Sequence, residues 1–253
     1  MNTMEGTMKC ILFELKCSVK SILRFFVIFL LFYIVALALV FALSTQNVGN
    51  GTSSAFFIAF FMYLFFSVSI NYTTHYNFLM MLGNPRSVIL KSQFVAYAAV
   101  SVGAALISVV FDFISPPLIS LAGSSYYDLI GMLYHTGNLA VHFIWFLALY
   151  IMASSVSLFL GSLRYRFGRI FTRIFWIGLA LLMMLVPSLL RLLERYDAVI
   201  VLVNAVKAFF GYGVNGGIFF ASLNFAIVAA LFGAATYLMG RRQELIAQER
   251  QHQ

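Results

Sequence analysis

Apolar runs of membrane-spanning length alternate along this chain with short polar breaks. Residues 25–43 are nineteen consecutive positions without a charge. At about 1.5 Å per residue, a helix of that length covers a hydrocarbon layer of about 30 Å. Similar runs occupy 55–70, 92–111 and 139–160, then a stretch beginning near 174 and passing Pro187, and finally 218–239. Six crossings are expected, with Pro187 bending the fifth. Residues 198–210 carry a single charge, Lys207. At about 20 Å that segment is too short to cross. Asp197 before it and Gly211 after it suit a short helix that re-enters from the outer side, making a helical hairpin between spans five and six. The fold class expected is all-α and polytopic.

Before the first run the pattern changes. At about 100° per residue, Lys9, Lys16, Lys20 and Arg24 share an arc of about 80°. Ile11, Leu12, Leu15, Val19, Ile22 and Phe26 fall on the opposite side. Residues 1–24 therefore read as an amphipathic helix on the membrane surface. Its basic face suits anionic headgroups and an acidic partner equally, and the helix also serves simply to anchor the first crossing. The first run is longer than the apolar core of about 7–15 residues in a signal peptide, so an uncleaved span is expected.

Residues 71–91 read NYTTHYNFLMMLGNPRSVILK. Thr73 and Thr74 can cap a short helix carrying His75, Tyr76, Phe78, Leu79 and Leu82, which Gly83 would end. Asn84 then caps a new helix with Pro85 at its first position. A separate short cytoplasmic helix satisfies these residues, and so does an ordinary turn. Pro116-Pro117, Gly123 and Tyr126-Tyr127 mark an outer loop over 112–138. Arg164, Arg166, Arg169 and Arg173 follow the fourth run and read as a cytoplasmic basic loop. The whole chain, 1–253, forms one transmembrane domain: the surface helix over 1–24, the six-span bundle over 25–239 and a cytoplasmic tail over 240–253.

Composition and charge agree with this plan. The chain is 62% hydrophobic and 9% charged, far from the soluble average of roughly 45–50% apolar and about 25% charged. With both termini cytoplasmic, 13 of the 16 Lys and Arg residues lie inside, leaving Arg191, Arg195 and Lys207 outside. That bias accounts for the net charge of +8 without nucleic acid, whose stacking aromatics in a soluble basic domain are missing. Cys10 and Cys17 sit seven residues, or about 10 Å, apart on a helix, too far for a disulfide.

None of the six proposed cores contains Asp, Glu, Lys or Arg. Ion-coupled carriers usually keep an ionisable group there, so this counts against one. His142 and Asn224 are the notable polar residues inside spans, and His142 is read as a packing residue in preference to a proton carrier. His75 and His135 fall on opposite sides of the expected bilayer, so no metal site is expected. No G-x-S-x-G, H-E-x-x-H or G-x-x-x-x-G-K-[ST] pattern occurs. Neither catalysis nor ATP hydrolysis is expected of this chain.

With these residues laid out, the chain resembles the permease subunit of a type-two ABC exporter, the class serving drug, peptide and polysaccharide export. The likeness lies in the order of elements: a basic amphipathic helix, a short cytoplasmic helix between spans two and three, and a re-entrant hairpin between spans five and six. FLMMLGNPRSVILKSQF, residues 78–94, is similar to the aromatic-leucine-glycine-x-x-arginine stretch of small bacterial permeases. The resemblance implies that residues 73–82 are a coupling helix docking in a separate ATPase, braced by the helix of Lys9 to Arg24. It implies two permeases, identical or related, with two ATPase subunits that bind ATP and Mg; separately, the uncleaved first span and the short loops fit a bacterial-type plasma membrane. It also implies export of an amphipathic small molecule, peptide or lipid-like substrate. Beside what the resemblance implies, the aromatic residues Tyr33, Phe61 and Phe65 on spans one and two would line a pathway for an amphipathic cargo, or merely pack helices. A non-transporting membrane protein, of immunity or sensor-associated type, is the alternative, and an ion-coupled carrier stands behind it.

Overall fold

A computed structural model describes residues 3–44, 55–121, 130, 134, 137–194, 198–212 and 217–251. Among them all regular structure is helical: α1 Thr3–Ser44, α2 Ala55–Met81, α3 Arg86–Leu121, α4 Leu139–Glu194, α5 Ala198–Phe209 and α6 Gly217–Gln251. Four segments are long and apolar enough to cross a membrane, namely Phe57–Met81, Arg86–Pro117, Leu139–Gly168 and Gly217–Gly240. The chain is thus built as a helical membrane protein. The expected first and fifth crossings fall on α1 and on the second limb of α4, where side chains of 36–44 and 186–194 are among those outside the described set.

The first limb of α4 is the central element and packs against α2, α3 and α6, while α1 lies against α3. One core cluster joins Phe60 of α2, Ala105 of α3, Phe146 and Tyr150 of α4 and Phe225 of α6. A second, at the other end, joins Cys10 of α1, Tyr76 and Leu79 of α2, Ile89 of α3 and Leu158 of α4. Three contacts, whose positions advance together along both helices, fix α2 parallel to α4. The Ser157 hydroxyl donates to the Phe65 carbonyl, Tyr72 lies against Gly161, and Tyr76 meets Tyr165 edge-on with centroids 4.9 Å apart.

Several expected boundaries do not exist. Residues 1–24 are no separate surface helix, because α1 runs unbroken from Thr3 to Ser44; past Gly6 no Gly or Pro interrupts it. Residues 73–81 are the last turns of α2, not a short helix of their own. The first residue able to stop α2 is Gly83, at φ 76°. Gly83 N–H donates to the Met80 carbonyl at 2.9 Å and Asn84 N–H to Leu79 at 3.3 Å. The Asn84 side-chain amide also donates to Leu79, at 3.1 Å, and so closes α2 where it was expected to cap α3.

Farther on, α3 continues through Pro116 and Pro117 to Leu121, which places Asp112 inside a helix and not in a loop. Proline inside a membrane helix is tolerated where neighbours satisfy the freed carbonyls. The expected basic loop over 164–173 is absent too. One residue, Gly168 at φ 64° and ψ −146°, breaks α4 into two limbs. Arginine is a good helix former, so nothing else there interrupts the helix. Similarly, α6 carries the expected tail as helix to Gln251. The short helix expected over 198–210 is α5; Gly211 N–H closes it on Ala208 at 3.0 Å and Tyr212 N–H on Lys207 at 2.8 Å. Its expected cap, Asp197, the outer loop with Tyr126, Tyr127 and His135, and Arg195 lie outside the described residues.

Gly161 sets the spacing of α2 and α4. A Cβ added there would lie 2.7 Å from the Tyr72 Cβ, within a helix pair whose close approach depends on a small residue. Gly161→Val is expected to destabilise the detergent-solubilised protein by about 1–3 kcal/mol, read as a lower thermal midpoint, while Gly103→Val, with open space around it, leaves the midpoint near wild type.

Candidate functional site: a buried carboxylate and the tip of the second helix

On α1, Cys10, Glu14 and Ser18 recur at every fourth position and form the face turned into the bundle, at 3%, 0% and 4% exposure. Neither of the two faces expected from the sequence is the buried one. Lys9, Lys16, Lys20 and Arg24 are exposed, and Leu12, Val19 and Leu23 are exposed beside them.

Glu14 joins three helices. Its Oε2 lies 2.6 Å from His75 Nδ1 of α2, and its Oε1 accepts a hydrogen bond from Gln93 Nε2 of α3 at 3.3 Å. With a carboxylate as partner, His75 Nδ1 is the nitrogen that carries the proton. Phe13, next to Glu14, meets the His75 ring edge-on at 5.7 Å and stacks on Phe78 at 5.1 Å. Farther along α1, the Tyr63 hydroxyl donates to Ser21 at 2.7 Å. A buried carboxylate is tolerable only with such partners, and removing one leaves the other uncompensated.

This clasp holds the end of α2. Of the residues expected to dock an ATPase, Tyr76 and Leu79 are core residues at 1% and 2% exposure. They cannot form an outer face. Tyr76 is stacked on Tyr72 with centroids 5.5 Å apart, His75 is held by Glu14 and Thr73 is partly buried. Thr74, Phe78 and Leu82 point outward, and Met81, which the sequence reading did not single out, is the most exposed at 86%. The turn therefore presents Phe78, Met81 and Leu82 on a stem that Glu14 fixes.

The remaining expected residues divide. Arg164 is partly buried, Arg166 lies 5.6 Å from the Phe167 ring, Arg173 is exposed, and the Arg169 side chain is outside the described set. Phe61 and Phe65 stack with centroids 6.3 Å apart, and Phe65 lines a cavity whereas Phe61 packs on the main core. The Tyr33 side chain is not among those described.

A second polar seam runs between α3 and α4. Ser101 and Ser154 are bonded at 3.1 Å and Ser108 and the Tyr150 hydroxyl at 2.6 Å. At its far end Asp112 Oδ2 is 3.4 Å from His142 Nδ1, with His142 buried. The sequence reading placed no acid inside a span; Asp112 lies within Arg86–Pro117 and corrects that. The continuation of α3 past Phe111 is what puts it there. Asn224, the other polar span residue, donates to the Phe209 carbonyl at 2.8 Å and ties α6 to the end of α5.

Among the described residues no three His, Cys, Asp or Glu side chains converge as metal ligands. No family model, curated protein or solved structure matches the chain. What fold and site define is therefore a class, an all-helical membrane protein with a clasped polar node at one end.

Two measurements check the node. Glu14→Ala is expected to cost about 3 kcal/mol, and a double-mutant cycle with His75→Ala to return a coupling of at least about 1 kcal/mol. Burial, and after it the Glu14 charge, pushes the Cys10 thiol above its usual range. The Cys17 thiol is shifted the same way, but Lys16 and Lys20 oppose the shift and its side chain is only half-buried, so maleimide is expected to label Cys10 more slowly than Cys17. Labelling of Cys10 should accelerate with rising pH and in Glu14→Gln, as peptide mass spectrometry would read.

Proposed function

We propose that this chain is the permease subunit of an ATP-driven exporter of the type-two ABC class. It would span a bacterial-type plasma membrane six times with both ends in the cytoplasm and pair with a second permease, identical or related. Two separate ATPase subunits would bind ATP and Mg. The observation that carries the reading is the α2–α3 turn. Phe78, Met81 and Leu82 are exposed there, and the stem beneath them is tied to α1 and α3 through Glu14. An exposed apolar knob on a rigid stem suits docking in a groove, where a few anchors carry most of the binding. The basic residues Lys9, Lys16 and Arg164 near that end support its cytoplasmic placement.

The test is a pull-down of the full chain from its native membrane in mild detergent, with ATPase activity assayed on the bound fraction. Met81→Asp with Leu82→Asp is expected to reduce the recovered ATPase roughly tenfold or more, while the chain stays inserted. These positions are preferable to Tyr76 and Leu79, whose substitution would disturb the core. Undiminished recovery, or a wild-type chain that brings down no ATPase, would favour the non-transporting reading.

Asp112 beside the buried His142 favours a second reading, an ion-coupled carrier, since ionisable pairs inside membrane helices commonly mark ion paths. Under that reading, uptake into ATP-depleted vesicles follows an imposed proton or sodium gradient and Asp112→Asn abolishes it. Under the exporter reading, Asp112→Asn leaves ATP-dependent transport within about threefold of wild type, the change expected when one polar packing contact is weakened.

A further inference from the structure

A cavity of about 310 Å³ lies between α2 and both limbs of α4. Phe65, Phe66 and Ile70 contribute one wall, and Phe171 and Phe175 the other, stacked on each other with centroids 6.1 Å apart. The positive φ at Gly168 makes the break that brings these two rings to the same space as Arg164. Ser69 and Arg164 supply the polar groups of the lining. Among the described residues Arg164 has no hydrogen-bond or ion-pair partner. A partly buried guanidinium in an aromatic setting is a strong site for a planar or tetrahedral oxyanion.

Depth follows from the parallel register of α2 and α4. Phe65 is level with Ser157, well inside α4, whereas Arg164 is in the last turn of the span that ends at Gly168. The apolar end of the cavity is therefore deep, and its cationic end is where headgroups lie. Phe66 and Ile70 are 36% and 54% exposed, so the cavity opens sideways at the helix surface. Its volume is at the small end of ligand pockets, about 300–1,000 Å³. A single chain or ring fits, and a folded peptide or a sugar polymer does not.

We propose that this cavity binds a single-tailed amphiphile with an anionic head, the head at Arg164 and Ser69 and the tail along Phe65 and the Phe171–Phe175 pair. The assignment is independent of the ATPase-driven reading, because binding is measured on the isolated chain without nucleotide or partner.

The test is native mass spectrometry of the full chain in neutral detergent, titrated with dodecyl phosphate, dodecyltrimethylammonium and inorganic phosphate. One dodecyl phosphate is expected to bind per chain, with the cationic amphiphile and inorganic phosphate each at least about tenfold weaker. Arg164→Gln should weaken dodecyl phosphate by about tenfold or more, and Arg164→Lys by less. Ser69→Phe, which fills the cavity, should abolish binding, and Arg166→Gln, outside the lining, should not change it. Equal binding of the cationic amphiphile would overturn the proposal, as would unchanged binding by Arg164→Gln. Displacement by inorganic phosphate at equal concentration would also overturn it, by showing a bare anion site. If Arg164→Gln and Ser69→Phe fail to fold, the comparison of the three probes on the wild-type chain decides.

Discussion

Glu14 is a carboxylate with no exposed surface, and the end of the molecule around it is arranged to keep it partnered. A free carboxylate in that position would cost several kcal/mol, more than most single packing contacts return. His75 and Gln93 meet it from two other helices. The requirement to bring those three side chains together fixes the rotation of α1 about its axis. It also fixes how far the end of α2 can move from α3, since His75 is less than two turns from Met81.

The same constraint explains an apparent inversion on α1. In a soluble helix Leu12, Val19 and Leu23 would be buried and Glu14 would face water. Here they are exposed and Glu14 is inside. Where lipid can cover apolar side chains there is little gain in hiding them within protein, so polar groups and close packing decide which faces meet. The seam between α3 and α4 obeys the same rule: Ser101, Ser108 and Asp112 turn toward Ser154, Tyr150 and His142.

The apolar runs made the helices legible, and four of the expected spans reappear among the described residues as long apolar helices. Boundaries were less legible, because the polar residues that suggested breaks are compatible with a continuing helix. Thr73 and Thr74 cap only when the chain before them is not helical, and α2 was already helical. Where the break needed a backbone geometry that only glycine readily takes, at Gly83 and Gly211, the sequence did mark it. Over residues 164–173 the arginines read as a loop, whereas the structure keeps them helical and breaks only at Gly168. Sorting α1 into a basic and an apolar side leaves no place for the third face, on which Glu14 lies. The clue was available: it is the only acid between Glu5 and Asp112, and it is spaced four residues from Cys10 and from Ser18.

The docking tip and the cavity share one helix, and this has a mechanical consequence. From Ala55 to Leu82 the sequence contains no Gly or Pro, so α2 has no hinge at which a displacement of Met81 could be absorbed. Its contacts with α4 at Tyr76–Tyr165, Tyr72–Gly161 and Phe65–Ser157 form a continuous seam. A push at the tip must therefore tilt α2 along that seam or be resisted by the Glu14 clasp. The cavity is bounded by both partners of the seam and by the limb beyond Gly168, the one position in α4 with non-helical geometry. A tilt would change the separation of Phe65 and Phe66 from Phe171 and Phe175 before it disturbed the main core around Phe146.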